Sequence, residues 1–156
     1  MSEEDLLPNG LAVVMRCALV DVGIAVGGWT TSEHPWEGGS DHDVFLGRGI
    51  PGVLLWHFTD FTYHTSLDRL DRVDTEELRR TAVALVGGAA AVADARTSDL
   101  KRYIESALRE RFERQGAISE FEVDEVYGEL WGDWSSGTRR WLADLCNGLP
   151  PGGGAR

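Results

Sequence analysis

The sequence predicts an α/β fold in which helices pack on a mostly parallel sheet of few strands, followed by an all-helical C-terminal appendage. Three observations carry that expectation. Helix-like and strand-like segments alternate through the first 96 residues. The continuous apolar run Val53-Leu54-Leu55-Trp56-His57-Phe58 has the length and composition of an interior strand. From Thr97 onward, apolar residues recur at helical spacing.

Taken in order, Pro8-Asn9-Gly10 makes a turn, and residues 11–22 read as a helix apolar over most of its circumference, of the kind buried against a sheet. Residues 24–30 read as a strand in glycine-rich surroundings, and residues 31–40 as a polar loop. Residues 41–47 fit one short helix. Pro51-Gly52 introduces the apolar run, and the polar loop 59–74 follows. Asp74-Thr75-Glu76-Glu77 opens a helix, because a side-chain oxygen at the first position satisfies free backbone donors. Leu78, Ala82, Leu85, Ala89 and Val92 form its expected packing stripe. Thr97 and Ser98 start a further helix with Leu100, Tyr103, Ile104, Ala107, Leu108 and Phe112 on one stripe, ended by Gly116. Ser119 and Glu122 start another, which Ser135-Ser136-Gly137 interrupts before a last short helix with Trp141, Leu142 and Leu145. The organisation expected is an α/β domain over 1–96, a helical extension over 97–149 and a disordered tail over 150–156.

The chain has 156 residues, enough for about one domain. With 26 Asp and Glu against 15 Lys and Arg, its formal charge is -11. Such a surface repels phosphate, so nucleic acid and anionic membranes are not expected partners. The acid excess suits a cationic ligand, or simply keeps the protein soluble. Cys17 and Cys146 have no metal-type or redox-type spacing and read as reduced, partly buried thiols. The acidic start MSEEDLLPNG lacks the basic region of a signal peptide, and the apolar stretch 81–93 is too short to span a bilayer. A cytoplasmic location is the expectation.

All four histidines, His34, His42, His57 and His64, lie between residues 31 and 65. Two polar constellations stand out: Gly38-Gly39-Ser40-Asp41-His42-Asp43 before the apolar run, and Tyr63-His64-Thr65-Ser66-Leu67-Asp68 after it. Ligands of open α/β sheets bind beyond the carboxyl ends of strands, which points to the second. An imidazole near carboxylates there suits a zinc ligand or a general base. His57 reads as a satisfied core residue, and His34, beside Pro35 and Trp36, has no role from spacing.

Gly38-Gly39-Ser40-Asp41-His42, Phe45-Leu46, Gly49-Ile50-Pro51, Val53-Leu54-Leu55, and Tyr63-His64-Thr65 with Asp68, Asp71 and Val73-Asp74 occur in one order. Together they resemble the C-terminal part of the di-zinc aminopeptidases of metallopeptidase family twenty-eight, whose fold glutaminyl cyclases and glutamate-carboxypeptidase-like proteins share. The resemblance covers residues 37–95. It implies a partial three-layer sandwich for 1–96. It also implies that His64 is a zinc ligand, that Tyr63 stabilises the oxyanion, and that Asp41, His42 and Asp68 support the site through hydrogen bonds. In such a site two zinc ions about 3.5–4 Å apart activate a bridging water against a peptide carbonyl.

The family's other ligands and its catalytic Glu-Glu pair lie upstream of the part represented. Glu3-Glu4 matches that pair in letters only, and Asp21 and Asp43 are poor substitutes. The expectation is a zinc metallopeptidase-like chain, truncated, inactive on its own and at most a weak zinc binder. The alternatives are a non-catalytic α/β interaction module or one half of a split peptidase. Expected partners are a peptide substrate, a complementary N-terminal half, or further copies recruited by exposed strand edges.

Overall fold

Residues 7–33, 38–57, 59–120 and 125–151 are described by this computed structural model of the protein. They form five α-helices: α1 (Leu11–Val26), α2 (His42–Leu46), α3 (Thr75–Ala93), α4 (Thr97–Glu120) and α5 (Glu125–Cys146), with one 3-10 turn at Leu70–Arg72. Among the described residues there is no strand, so the expected α/β sandwich with its parallel sheet is overturned in favour of a helical fold.

Both expected strands fail for local reasons. Ile24, Ala25 and Val26 continue α1, which stops only at Gly27, where φ is 71° and the backbone N–H donates to Gly23 O at 3.1 Å. Gly23, read as the helix end, lies inside the helix and is buried, because the returning chain needs its missing side chain: a Cβ there would sit 2.4 Å from the carbonyl oxygen of Trp29. Residues 53–57 carry no regular structure, and Leu54, Trp56 and His57 are exposed. Backbone groups of an extended run need a neighbouring strand to form a ladder, and the described residues supply none. Phe58, the end of that run, lies outside the described residues, as do His34 to Glu37, Phe121, Glu122 and most of the expected disordered tail.

The core sits where α1, α4 and α5 meet. Val13, Val14 and Cys17 from α1 close on Tyr103 and Ala107 from α4 and on Trp141, Leu142 and Cys146 from α5. Leu142 is fully buried. Both cysteines are free and buried, and burial raises the Cys146 thiol above its ordinary pKa. At the open end of the α4–α5 pair, the Thr97 hydroxyl donates to Cys146 O at 3.2 Å, which fixes the two helices antiparallel.

Two glycine-containing stretches read as helix breaks are interior to helices. α4 runs through Gly116 to Glu120, and α5 runs unbroken through Ser135-Ser136-Gly137. The small residues of α5 receive the N-terminal segment. A Cβ on Gly137 would fall 2.5 Å from Pro8 Cβ. Thr138, buried, donates its hydroxyl to Asn9 O at 3.2 Å, while Ser136 bonds back to Gly132 O at 2.9 Å within the helix.

α3 begins as its sequence indicates. Asp74 Oδ1 accepts from the backbone N–H groups of Glu76 at 2.9 Å and Glu77 at 3.1 Å, a helix cap worth about 1 kcal/mol. Its packing face differs from the expected stripe. Ala84 and Gly88 are the buried positions facing α1, whereas Leu78 is 60% and Leu85 47% exposed, with Ala82 and Ala89 exposed beside them. Helices α1 and α3 approach through small residues, leaving the larger apolar ones outward.

Candidate functional site

The loop that carries Tyr63 and His64 is a nest of short-range turns. Asp60 Oδ1 accepts from the Thr62 backbone N–H at 2.8 Å and its hydroxyl at 2.7 Å. These bonds hold the Asp60 carboxyl below its ordinary pKa. The Thr65 backbone N–H and hydroxyl both donate to Thr62 O, at 3.0 and 2.6 Å, and the Asp68 N–H donates to Thr65 O at 3.2 Å. His64 takes φ 60°, a left-handed conformation that non-glycine residues adopt at a cost, often at functional positions. Its ring stacks on Tyr63 with centroids 3.8 Å apart and planes 20° from parallel, and Trp56 lies 5.9 Å from Tyr63 on a tilted plane. Tyr63, His64 and Asp68 are all exposed.

The second constellation surrounds α2. Asp41 occupies the cap position without a side-chain capping bond and is exposed. His42 is the most sheltered member: its side chain is 9% exposed, Nδ1 has no partner, and Nε2 lies 3.6 Å from Asp43 Oδ1. Asp43, discounted from sequence, orders this turn, since its Oδ2 accepts from the Gly39 N–H at 2.6 Å. Asp21, weighed as a substitute ligand, is committed elsewhere and accepts two bonds from Arg102 at 2.6 and 2.9 Å.

These residues do not converge. Among the described residues, no three His, Cys, Asp or Glu side chains are grouped to hold a metal ion. A catalytic zinc takes about three protein ligands. His64 and its described neighbours therefore do not fit a zinc pair, and no chemical step is routed through one. A cavity of about 190 Å³ opens between α1, α3 and α4, beside Cys17, Asp21, Arg102 and Tyr103. Tyr63, His64, Asp41, His42 and Asp68 do not line it.

A polar convergence within the family-like part of the chain, with no counterpart among the motifs of the sequence, is centred on Glu77. Glu77 Oε1 accepts from Trp29 Nε1 at 2.8 Å and from His57 Nε2 at 2.9 Å, and Arg80 lies 3.5 Å from the other oxygen. The bond from His57, with that from Trp29 and the charge of Arg80, holds the Glu77 carboxyl below its ordinary pKa against a smaller effect of burial. His57 is thus hydrogen-bonded but 58% exposed rather than a core residue. Glu77 ties the segments after α1 and after residue 53 to the first turn of α3. Separations of 48 and 20 residues leave no local signal for this node. The one hint is a second acidic residue beside the cap of α3.

The lowered Glu77 pKa has a defined consequence for stability. A carboxyl whose folded pKa is depressed contributes stability above its unfolded pKa, about 4.3, and loses it as pH falls through the folded value. The melting-temperature gap between wild type and Glu77→Gln is expected to be widest above about pH 5 and to narrow below about pH 4. A gap independent of pH between 3 and 7 contradicts the assignment.

No curated protein and no solved structure matches the chain. The sequence pattern of Peptidase family M28 matches residues 21–87, from the last turns of α1 into the middle of α3, and that span includes both polar constellations and Glu77. Over residues 21–87 the chain is therefore similar to the M28 metallopeptidases, a generally zinc-dependent family, and is peptidase-like in that segment.

Proposed function

We propose that this protein is a relative of the di-zinc aminopeptidases that does not hydrolyse peptides by itself. The observation that carries the reading is the family match over residues 21–87, which contains Ser40-Asp41-His42 and Tyr63-His64-Thr65 in order. The scatter of metal-ligating side chains among the described residues supports the absence of hydrolysis. His64 is an exposed imidazole with ring nitrogens to offer, and ligands supplied by another polypeptide would complete a site around it. A non-catalytic, helical interaction module is the second reading, favoured by the exposed apolar side chains of α3.

Hydrolysis of an aminoacyl-anilide by the purified chain with added zinc provides the test. Turnover is expected at the level of zinc and buffer alone, with wild type and His64→Ala indistinguishable. Turnover that exceeds that background and disappears in His64→Ala contradicts the proposal.

A further inference from the structure

Helices α3 and α4 leave the turn at residues 94–96 and both pack on α1, yet among the described residues they hardly touch each other. The notch between them is the cavity of about 190 Å³. Val14 and Ala18 of α1 and Val83, Ala84, Gly87 and Ala91 of α3 give it apolar walls. Gly87 keeps it open. Inside a helix glycine is less favourable than alanine, and close packing is the usual reason for keeping it. Gly88 has that reason, since a Cβ there would overlap Met15 Sδ. Gly87 does not: the nearest atom to an added Cβ, Ala18 Cβ, would lie 4.0 Å away, an ordinary contact. A side chain at position 87 would stand in the notch without a clash, and glycine leaves that space empty.

The polar groups around the notch divide into committed and free. Asp21 and Arg102, both half exposed at its mouth, are joined by two hydrogen bonds, and Arg102 also donates to Cys17 O at 3.1 Å. An ionic ligand would have to break that pair. Tyr103, a wall residue only 5% exposed, carries a hydroxyl with no hydrogen-bond partner among the described residues. Burial, and next the charge of Asp99, raise this hydroxyl above its ordinary pKa and keep it a neutral O–H. Apolar walls with one free polar group are how a pocket orients a small ligand. Volume sets the size, because an apolar cavity of about 150 Å³ takes up benzene. The notch, at about 190 Å³, suits a ring with one substituent and excludes a peptide. We propose that the notch between α1, α3 and α4 binds one small neutral aromatic molecule of phenol size, whose single hydrogen-bonding group meets the Tyr103 hydroxyl. Neither polar constellation lines it, and the proposal does not depend on the peptidase reading.

Phenol titrated into the isotopically labelled chain, followed by amide NMR, tests the site. Saturable shifts centred on Ala18 and Ala84 are expected. Benzene is expected to bind about fivefold more weakly, the worth of one hydrogen bond. Benzoate, which would have to displace Asp21 from Arg102, is expected to give no saturable shift at these amides. Gly87→Leu fills the notch and is expected to abolish phenol binding with an unchanged helical circular-dichroism spectrum. Tyr103→Phe keeps the ring, and is expected to lower phenol to the affinity of benzene while leaving benzene unchanged. Shifts that stay linear in phenol concentration, saturable benzoate binding, phenol binding that survives Gly87→Leu, or a Tyr103→Phe chain that still prefers phenol to benzene overturns the proposal.

Discussion

Leu142→Ala is expected to cost about 2–5 kcal/mol of unfolding free energy, the range for emptying a closed core site. Leu142 is fully buried among side chains from α1, α4 and α5. It also lies against the backbone at Gly10, where a Cβ would come within 2.5 Å of it, so the turn before α1 leans on the same side chain. Collapse around the cavity is restrained because three helices and that turn would have to move together. Urea unfolding followed by circular dichroism measures the loss. A cost below about 1 kcal/mol would mean that the three-helix junction is not the core, since so small a loss is not that of a closed site.

Gly23→Ala is the second large effect, and its sign separates two influences. Inside a helix, alanine is favoured over glycine by about 1 kcal/mol. At position 23, however, the added methyl group meets the Trp29 carbonyl oxygen at 2.4 Å, and this obstacle is backbone that cannot rotate aside. A net loss of about 1–3 kcal/mol is expected, as for overpacking elsewhere. The return of the chain after Gly27 also carries Trp29 to Glu77, so the variant is expected to disturb the tryptophan fluorescence that Glu77→Gln disturbs. A stabilising Gly23→Ala would show that the return after α1 is not held against the helix.

Much of the helical content is legible from periodicity and caps. Asp74 announces α3 because its carboxylate must accept the first free N–H groups, α1 announces itself by a run apolar over most of its circumference, and α4 by an apolar stripe. The strands expected at 24–30 and 53–58 rest on short apolar runs, which have no period that separates strand from helix or from an unpaired extended segment. Ser135-Ser136-Gly137 looks like a helix break because small polar residues usually end helices, whereas here Gly137 and Thr138 receive Pro8 and Asn9, about 130 residues away. In α3, the regular stripe from Leu78 to Val92 is the more conspicuous pattern, but close packing on α1 selects the small pair Ala84 and Gly88.

The candidate site divides along the same line. Ser40-Asp41-His42 and Tyr63-His64-Thr65 are local motifs, and the family match covers them. The His57–Glu77–Trp29 node depends on how the chain returns past α1, a property of packing rather than of any short segment. The sheltered His42 and the turn held by Asp43 are intermediate cases, since the motif is visible but the side-chain roles are not.

Zinc content separates a complete metallopeptidase centre from an incomplete one most directly. The purified chain, equilibrated with zinc and desalted, is read by elemental analysis beside His64→Ala. Retention well below one zinc per chain, the same in both proteins, is the expected result, because no three ligands meet around His64 among the described residues. Two tightly held zinc ions per chain, lost in His64→Ala, would contradict it.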